Sequence, residues 1–88
     1  MYQLYSLQTC PHCHEAVELM RKNNIQFEQI NAGSSDGIDK FRKVYTEHRN
    51  EIKRDNSGTI VLPIILSQDN GNLRIHQGTE GLERFLGI

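Results

Sequence analysis

Cys10-Pro11-His12-Cys13 contains the only two cysteines of the chain, separated by two residues. On a helix this spacing sets two sulfurs about one turn apart, so one can attack a disulfide while the other resolves the mixed intermediate. Thiol–disulfide exchange is therefore the first chemistry to weigh. Helix N-termini carry unsatisfied N–H groups and partial positive charge, which favour a sulfur placed there as its thiolate. Cys10, the more N-terminal of the pair, is expected to be exposed and to act as nucleophile. Cys13, one turn on and on the same face as Ala16 and Val17, is expected to be the buried resolving thiol. Pro11 stiffens the loop between them. A protonated His12 beside Cys10 would stabilise the thiolate further and raise the reduction potential.

Two other chemistries use the same residues. Extended by His14, the motif satisfies the Cys-x-x-Cys-His pattern of covalent haem attachment, but no methionine follows Met20 to supply the common second axial ligand. A zinc or iron–sulfur site would find only half a tetrahedral shell in two cysteines. His12, His14, His48 or His76 would have to complete it, or external thiols across a pair of subunits. Pro11 opposes such bridging. The expectation is no bound metal and no tightly held cofactor, with His14 an exposed first-turn residue and His48 and His76 structural.

The chemistry must be positioned by a small body. Eighty-eight residues, 36% hydrophobic and 24% charged, suit one domain over 1–88 with a thin core. A net charge of −1 offers no basic face, and the cations between Lys40 and Arg54 are interleaved with Glu47 and Glu51. That is the pattern of a solvated helix surface, so nucleic acid is not an expected partner. No apolar run reaches the roughly 18 residues of a membrane span. Met1 to Leu7 lacks a basic and a long apolar region, so the expectation is a cytoplasmic, monomeric protein. In that compartment close cysteine pairs are catalytic or metal-binding more often than structural.

Tyr2 to Leu7 has the composition of a short buried strand, and Thr9 offers a capping hydroxyl for a helix with Pro11 in its first turn. Cys13, Ala16, Val17 and Met20 then fall on one helical face, and Asn23-Asn24 is the stop. Ile25 to Asn31 reads as a second strand, parallel to the first because a helix joins them. A second helix is expected from Ser35 or Asp36, carrying Ile38, Phe41, Tyr45, His48 and Ile52 on one side until Asp55-Asn56-Ser57-Gly58. Thr59 to Leu66 is the most apolar block, and Pro63 within it suits only the start of a strand. Asp69-Asn70-Gly71-Asn72 has hairpin chemistry, returning Leu73 to His76 antiparallel. A last helix from about Thr79 to Leu86 buries Leu82, Phe85 and Leu86.

Three marks in this order resemble a glutaredoxin, of the thioredoxin-like superfamily. They are Cys10-Pro11-His12-Cys13 between the first strand and helix, Ser57-Gly58 followed by Pro63, and Gly78-Thr79-Glu80 opening the last helix. The resemblance spans essentially the whole chain. It implies an α/β thioredoxin-like fold of order βαβ-α-ββα, with a four-stranded mixed sheet flanked by three helices. It also implies a dithiol oxidoreductase with glutathione as co-substrate, protein disulfides as targets and glutathione reductase behind it. In such a protein Leu62 and Pro63 would pair with an extended peptide such as glutathione if their peptide bond is cis. Gly78 and Thr79 would offer N–H groups to a carboxylate, and Glu80 would accept from an amine. The chain departs from the family at Val61, Leu62, Gln77 and Glu80, and Gln8 stands where a lysine is common. Each departure alters a contact to the charged ends of glutathione. The second reading is therefore a redoxin reduced by thioredoxin reductase, of the type that donates hydrogen to ribonucleotide reductase. The Pro-His pair is also similar to that of a strongly oxidising periplasmic disulfide oxidase, implying a more oxidising couple than is usual among glutaredoxins.

Overall fold

The computed structural model describes residues 1–88, in the order β1 (Tyr2–Ser6), α1 (Pro11–Lys22), β2 (Phe27–Asn31), α2 (Ser35–Glu47), β3 (Ile64–Asp69), β4 (Asn72–Gln77) and α3 (Leu82–Leu86). The strands form one mixed sheet in the order β2-β1-β3-β4. β1 runs parallel to β2 and antiparallel to β3, and β3 and β4 form a hairpin. Its loop is the two residues Asn70 and Gly71, both at positive φ, as a tight turn matching strand twist requires. No helix is long and apolar enough to cross a membrane.

Alternation along the central strands divides the core in two. Leu4 and Ile65 point to one face, where Ala16, Val17 and Met20 of α1 and Leu82 and Leu86 of α3 meet them. Tyr5, Ile64 and Leu66 point to the other, against Phe41, Val44 and Tyr45 of α2. The result is a three-layer α/β/α body with the thioredoxin-like architecture expected. Leu4, Met20, Ile64 and Ile65 are fully buried, each contributing roughly 1.5–3 kcal/mol of hydrophobic stabilisation.

Several boundaries differ from the sequence reading, each for a local reason. The strand expected from Ile25 begins at Phe27, because Ile25 and Asn24 still close α1. The Ile25 N–H donates to the Met20 carbonyl and the Asn24 N–H to the Arg21 carbonyl, with Asn24 at φ 56°. That is a Schellman closure. α2 stops at Glu47 rather than running to Arg54. Beyond it, turn bonds from Glu51 and Ile52 to the His48 carbonyl bring Ile52 back into the core. The last helix starts at Leu82 rather than Thr79, since Gly78 and Gly81 both take positive φ and bend the chain before it.

α2 approaches β2 closely at one point. Gly37 lies in its first turn, where a Cβ would collide with the Asn31 carbonyl and crowd the Ser34 hydroxyl that caps the helix. Gly37→Ala should therefore destabilise the fold by about 1–3 kcal/mol through overpacking. Helix propensity alone would give a gain of roughly 0.8–1.0 kcal/mol. Urea unfolding decides the sign, and a raised midpoint would refute the close approach.

Candidate active site

The strand register assembles the site at one end of the sheet. Tyr5 pairs with Ile64 and Ile64 with Gln77. The turn after β1, the start of β3 and the end of β4 thus lie side by side, carrying Cys10, Leu62-Pro63 and Gly78-Thr79-Glu80.

α1 begins at Pro11, and its cap is Cys10 rather than Thr9. Cys10 is extended, at φ −98° and ψ 107°, and its Sγ accepts the Cys13 N–H at 3.2 Å. A sulfur thus stands where an N-cap oxygen ordinarily does, facing the electropositive end of the helix. Cys10 is partly exposed, whereas Cys13 is 2% exposed. Burial, and then its hydrogen bond with Cys10, push the Cys13 thiol up to about 12, against an opposing hydrogen bond from the Leu7 backbone. Both cysteines are free thiols. The two sulfurs are therefore unequal: one is presented to solvent at a helix terminus and the other is held protonated beneath it.

His12 takes a different place from the one expected. Its Nδ1 lies 3.7 Å from Glu15 Oε2 on the exposed side of α1, with both side chains mostly in solvent. It makes no hydrogen bond to either sulfur; the donor at Cys10 Sγ is the Cys13 backbone. His48 pairs with Glu51 at 2.9 Å, and His76 stacks on Phe85 at a centroid distance of 5.1 Å with Nε2 buried and unpartnered. No group of three or more His, Cys, Asp or Glu side chains is arranged to hold a metal ion.

The Leu62–Pro63 peptide is cis, Pro63 is buried and Leu62 half-buried. Neither the N–H nor the carbonyl of Leu62 is engaged within the protein, while the Pro63 carbonyl accepts from Gly78 at 2.9 Å. That bond occupies the Gly78 N–H, which was expected to be free for a carboxylate. Thr79 does not cap α3, whose N-cap is Gly81 without a side-chain bond; Glu80 is exposed.

Gln77 is the residue sequence reasoning undervalued. Its Oε1 accepts the Lys53 N–H at 2.7 Å, and its Nε2 donates to the carbonyls of Lys53 and Val61, each at 3.0 Å. A side-chain amide here pairs with loop backbone as a strand neighbour would. Within that loop Arg54 and Ile60 form a β-bridge, and Asp55 Oδ1 accepts from the Ser57 and Thr59 N–H groups and the Ser57 hydroxyl. Those bonds hold the Asp55 carboxyl below its ordinary range. Arg54 closes the loop from outside, donating to the Gly58 carbonyl and the Tyr45 hydroxyl. The segment leading to Leu62 is thus pinned from both sides.

A family model described as Glutaredoxin matches residues 3–65. Among solved structures, a glutaredoxin from Archaeoglobus fulgidus is similar at 22% identity and a TM-score of 0.66, over 97% of this chain and 84% of that one. This likeness is one of fold. Among curated proteins, none matches the chain in sequence.

Proposed function

The chain belongs to the glutaredoxin family, and from that membership and the dithiol geometry we propose that it is a glutathione-dependent thiol–disulfide oxidoreductase. The observation that carries the reading is the asymmetry of the two cysteines: Cys10 partly exposed at the cap of α1, Cys13 buried one turn below. Cys10 attacks a glutathionylated or protein disulfide, and Cys13 or a second glutathione releases the resulting mixed disulfide. Leu62, with its N–H and carbonyl unengaged, offers an extended peptide the pairing of an added strand. Thr79 and Glu80 follow Gly78, whose N–H is bonded to the Pro63 carbonyl just past the end of β4, and would meet the charged ends of glutathione. Glutathione reductase then supplies reducing equivalents through glutathione.

The test is turnover of a small glutathione mixed disulfide with NADPH, glutathione and glutathione reductase. Robust, protein-dependent NADPH oxidation is expected. A specific observation favours the second reading, a redoxin served by thioredoxin reductase. The Gln77 amide and the Gly78 N–H, at positions where the family resemblance puts contacts to the charged ends of glutathione, are occupied within the protein. Absence of turnover with glutathione, together with turnover on thioredoxin reductase, would replace the first reading by the second.

A further inference from the structure

Resolution by Cys13 requires removal of a proton from a thiol that the fold keeps protonated, and the mechanism so far gives that proton no destination. On the side of the dithiol away from Leu62-Pro63, a cleft of about 260 Å³ opens at the ends of β1 and β2. Its lining includes Cys13 itself, with Ser6, Gln8, His14, Gln29 and Asn31. At roughly 30 Å³ per molecule it has room for several waters. The Ser6 hydroxyl and the Gln29 and Asn31 amides give them partners, and Gln29 Nε2 already reaches Ser6 Oγ at 3.4 Å.

His14 is the one imidazole in this lining, and imidazole is the side-chain type suited to take up and pass on a proton. Its Nε2 lies 3.0 Å from the Gln8 carbonyl. A carbonyl only accepts, so Nε2 carries the hydrogen and the neutral ring presents Nδ1 as an acceptor. The ends of β1 and β2 bring no charged group into the cleft. On α1, Glu15 and Glu18 lie along the outer groove that His14 also borders, with Arg21 and Lys22 beyond, and Glu15 faces His12.

We propose that His14 is the proton acceptor for the resolving cysteine, acting through water in this cleft. The proposal rests on the dithiol reading above. In the step, Cys13 Sγ attacks Cys10 Sγ of the mixed disulfide and the Cys10–Cys13 bond forms. The bond from Cys10 to the substrate sulfur breaks, and that sulfur leaves with the electron pair. The Cys13 proton passes through cleft water to His14 Nδ1 and on to solvent or the departing thiolate. The two protein thiols are oxidised and the substrate disulfide is reduced. Entry of substrate and exit of the proton then use opposite sides of the dithiol.

The test follows an aromatic disulfide, whose released thiolate absorbs visible light, reacting with the fully reduced chain under rapid mixing. The first thiolate released reports attack by Cys10 and the second reports resolution by Cys13. For the native chain, the second-phase rate is expected to bend in the range where imidazoles titrate. His14→Gln keeps a donor for the Gln8 carbonyl but cannot take up the proton. It should slow the second phase relative to the first by roughly 10²-fold at neutral pH, abolish the bend, and respond to added imidazole. An unchanged ratio overturns the proposal. So does a slowing equal at every pH with the bend retained, which would mark a structural role. A native chain without a first phase would instead refute the dithiol reading itself, and the inference with it.

Discussion

Cys10→Ser should reduce all thiol–disulfide exchange to background, a loss on the order of 10³-fold or more, because a serine hydroxyl is a weak nucleophile without an adjacent base. Cys13→Ser should divide the activities instead. Turnover of a small glutathione mixed disulfide survives, because a second glutathione can attack the Cys10 adduct from solvent. Reduction of a protein disulfide fails, because its second half needs a resolving thiol one turn from the first. The geometry sets this order: Cys10 is partly exposed with its sulfur at the helix cap, and Cys13 is 2% exposed beneath it. The coupled NADPH assay and reduction of a disulfide-bonded protein, run on both variants, measure the two halves. Activity retained by Cys10→Ser and lost in Cys13→Ser would reverse the assignment of nucleophile and resolver.

Where local chemistry dictates local structure, the sequence was legible. The apolar face of α1, the parallel β1–β2 pair and the Asn70-Gly71 hairpin all follow from patterns confined to a few residues. The helical reading from Tyr45 to Ile52 failed because a turn restores the same apolar spacing. Seven residues separate two core side chains whether the backbone coils throughout or breaks at His48 and returns. Periodicity does not distinguish the two. The site shows the same divide. The cysteine pair and its inequality were visible as a motif on a helix face. The cap was not, because a thiol stood in the role assigned to Thr9. Nor was the role of Gln77, whose partners Lys53 and Val61 lie 24 and 16 residues away and meet it only after β4 is in register. In sequence that glutamine looked like the loss of a family glycine; in the fold it anchors the loop that leads to Leu62. His14 shows the same limit, since the cleft it borders is made by the ends of two strands.

The reduced protein should lose stability as pH rises above about 9, and Cys13 should account for much of the loss. Its thiol is pushed from 9.0 to about 12, by burial first and by Cys10 second. The protonated form is the neutral one, so the fold keeps a proton that the unfolded chain releases near its ordinary value. Between the two values the unfolded state binds fewer protons, and stability falls with rising pH. Each pH unit in that window is worth at most about 1.4 kcal/mol. A loss on the order of 2 kcal/mol is expected by about pH 11, the cleft beside Cys13 admitting some screening by water. Other groups titrate there as well. Burial and then Glu28 raise Tyr5, which adds to the loss, while Arg54 lowers Tyr45, which opposes it. Comparison with Cys13→Ala isolates the thiol: both proteins are unfolded in urea under a phosphine reductant, and only the difference in slope against pH is read. The variant's curve should be the flatter of the two. Parallel curves would mean that Cys13 titrates in the fold as it does in the unfolded chain.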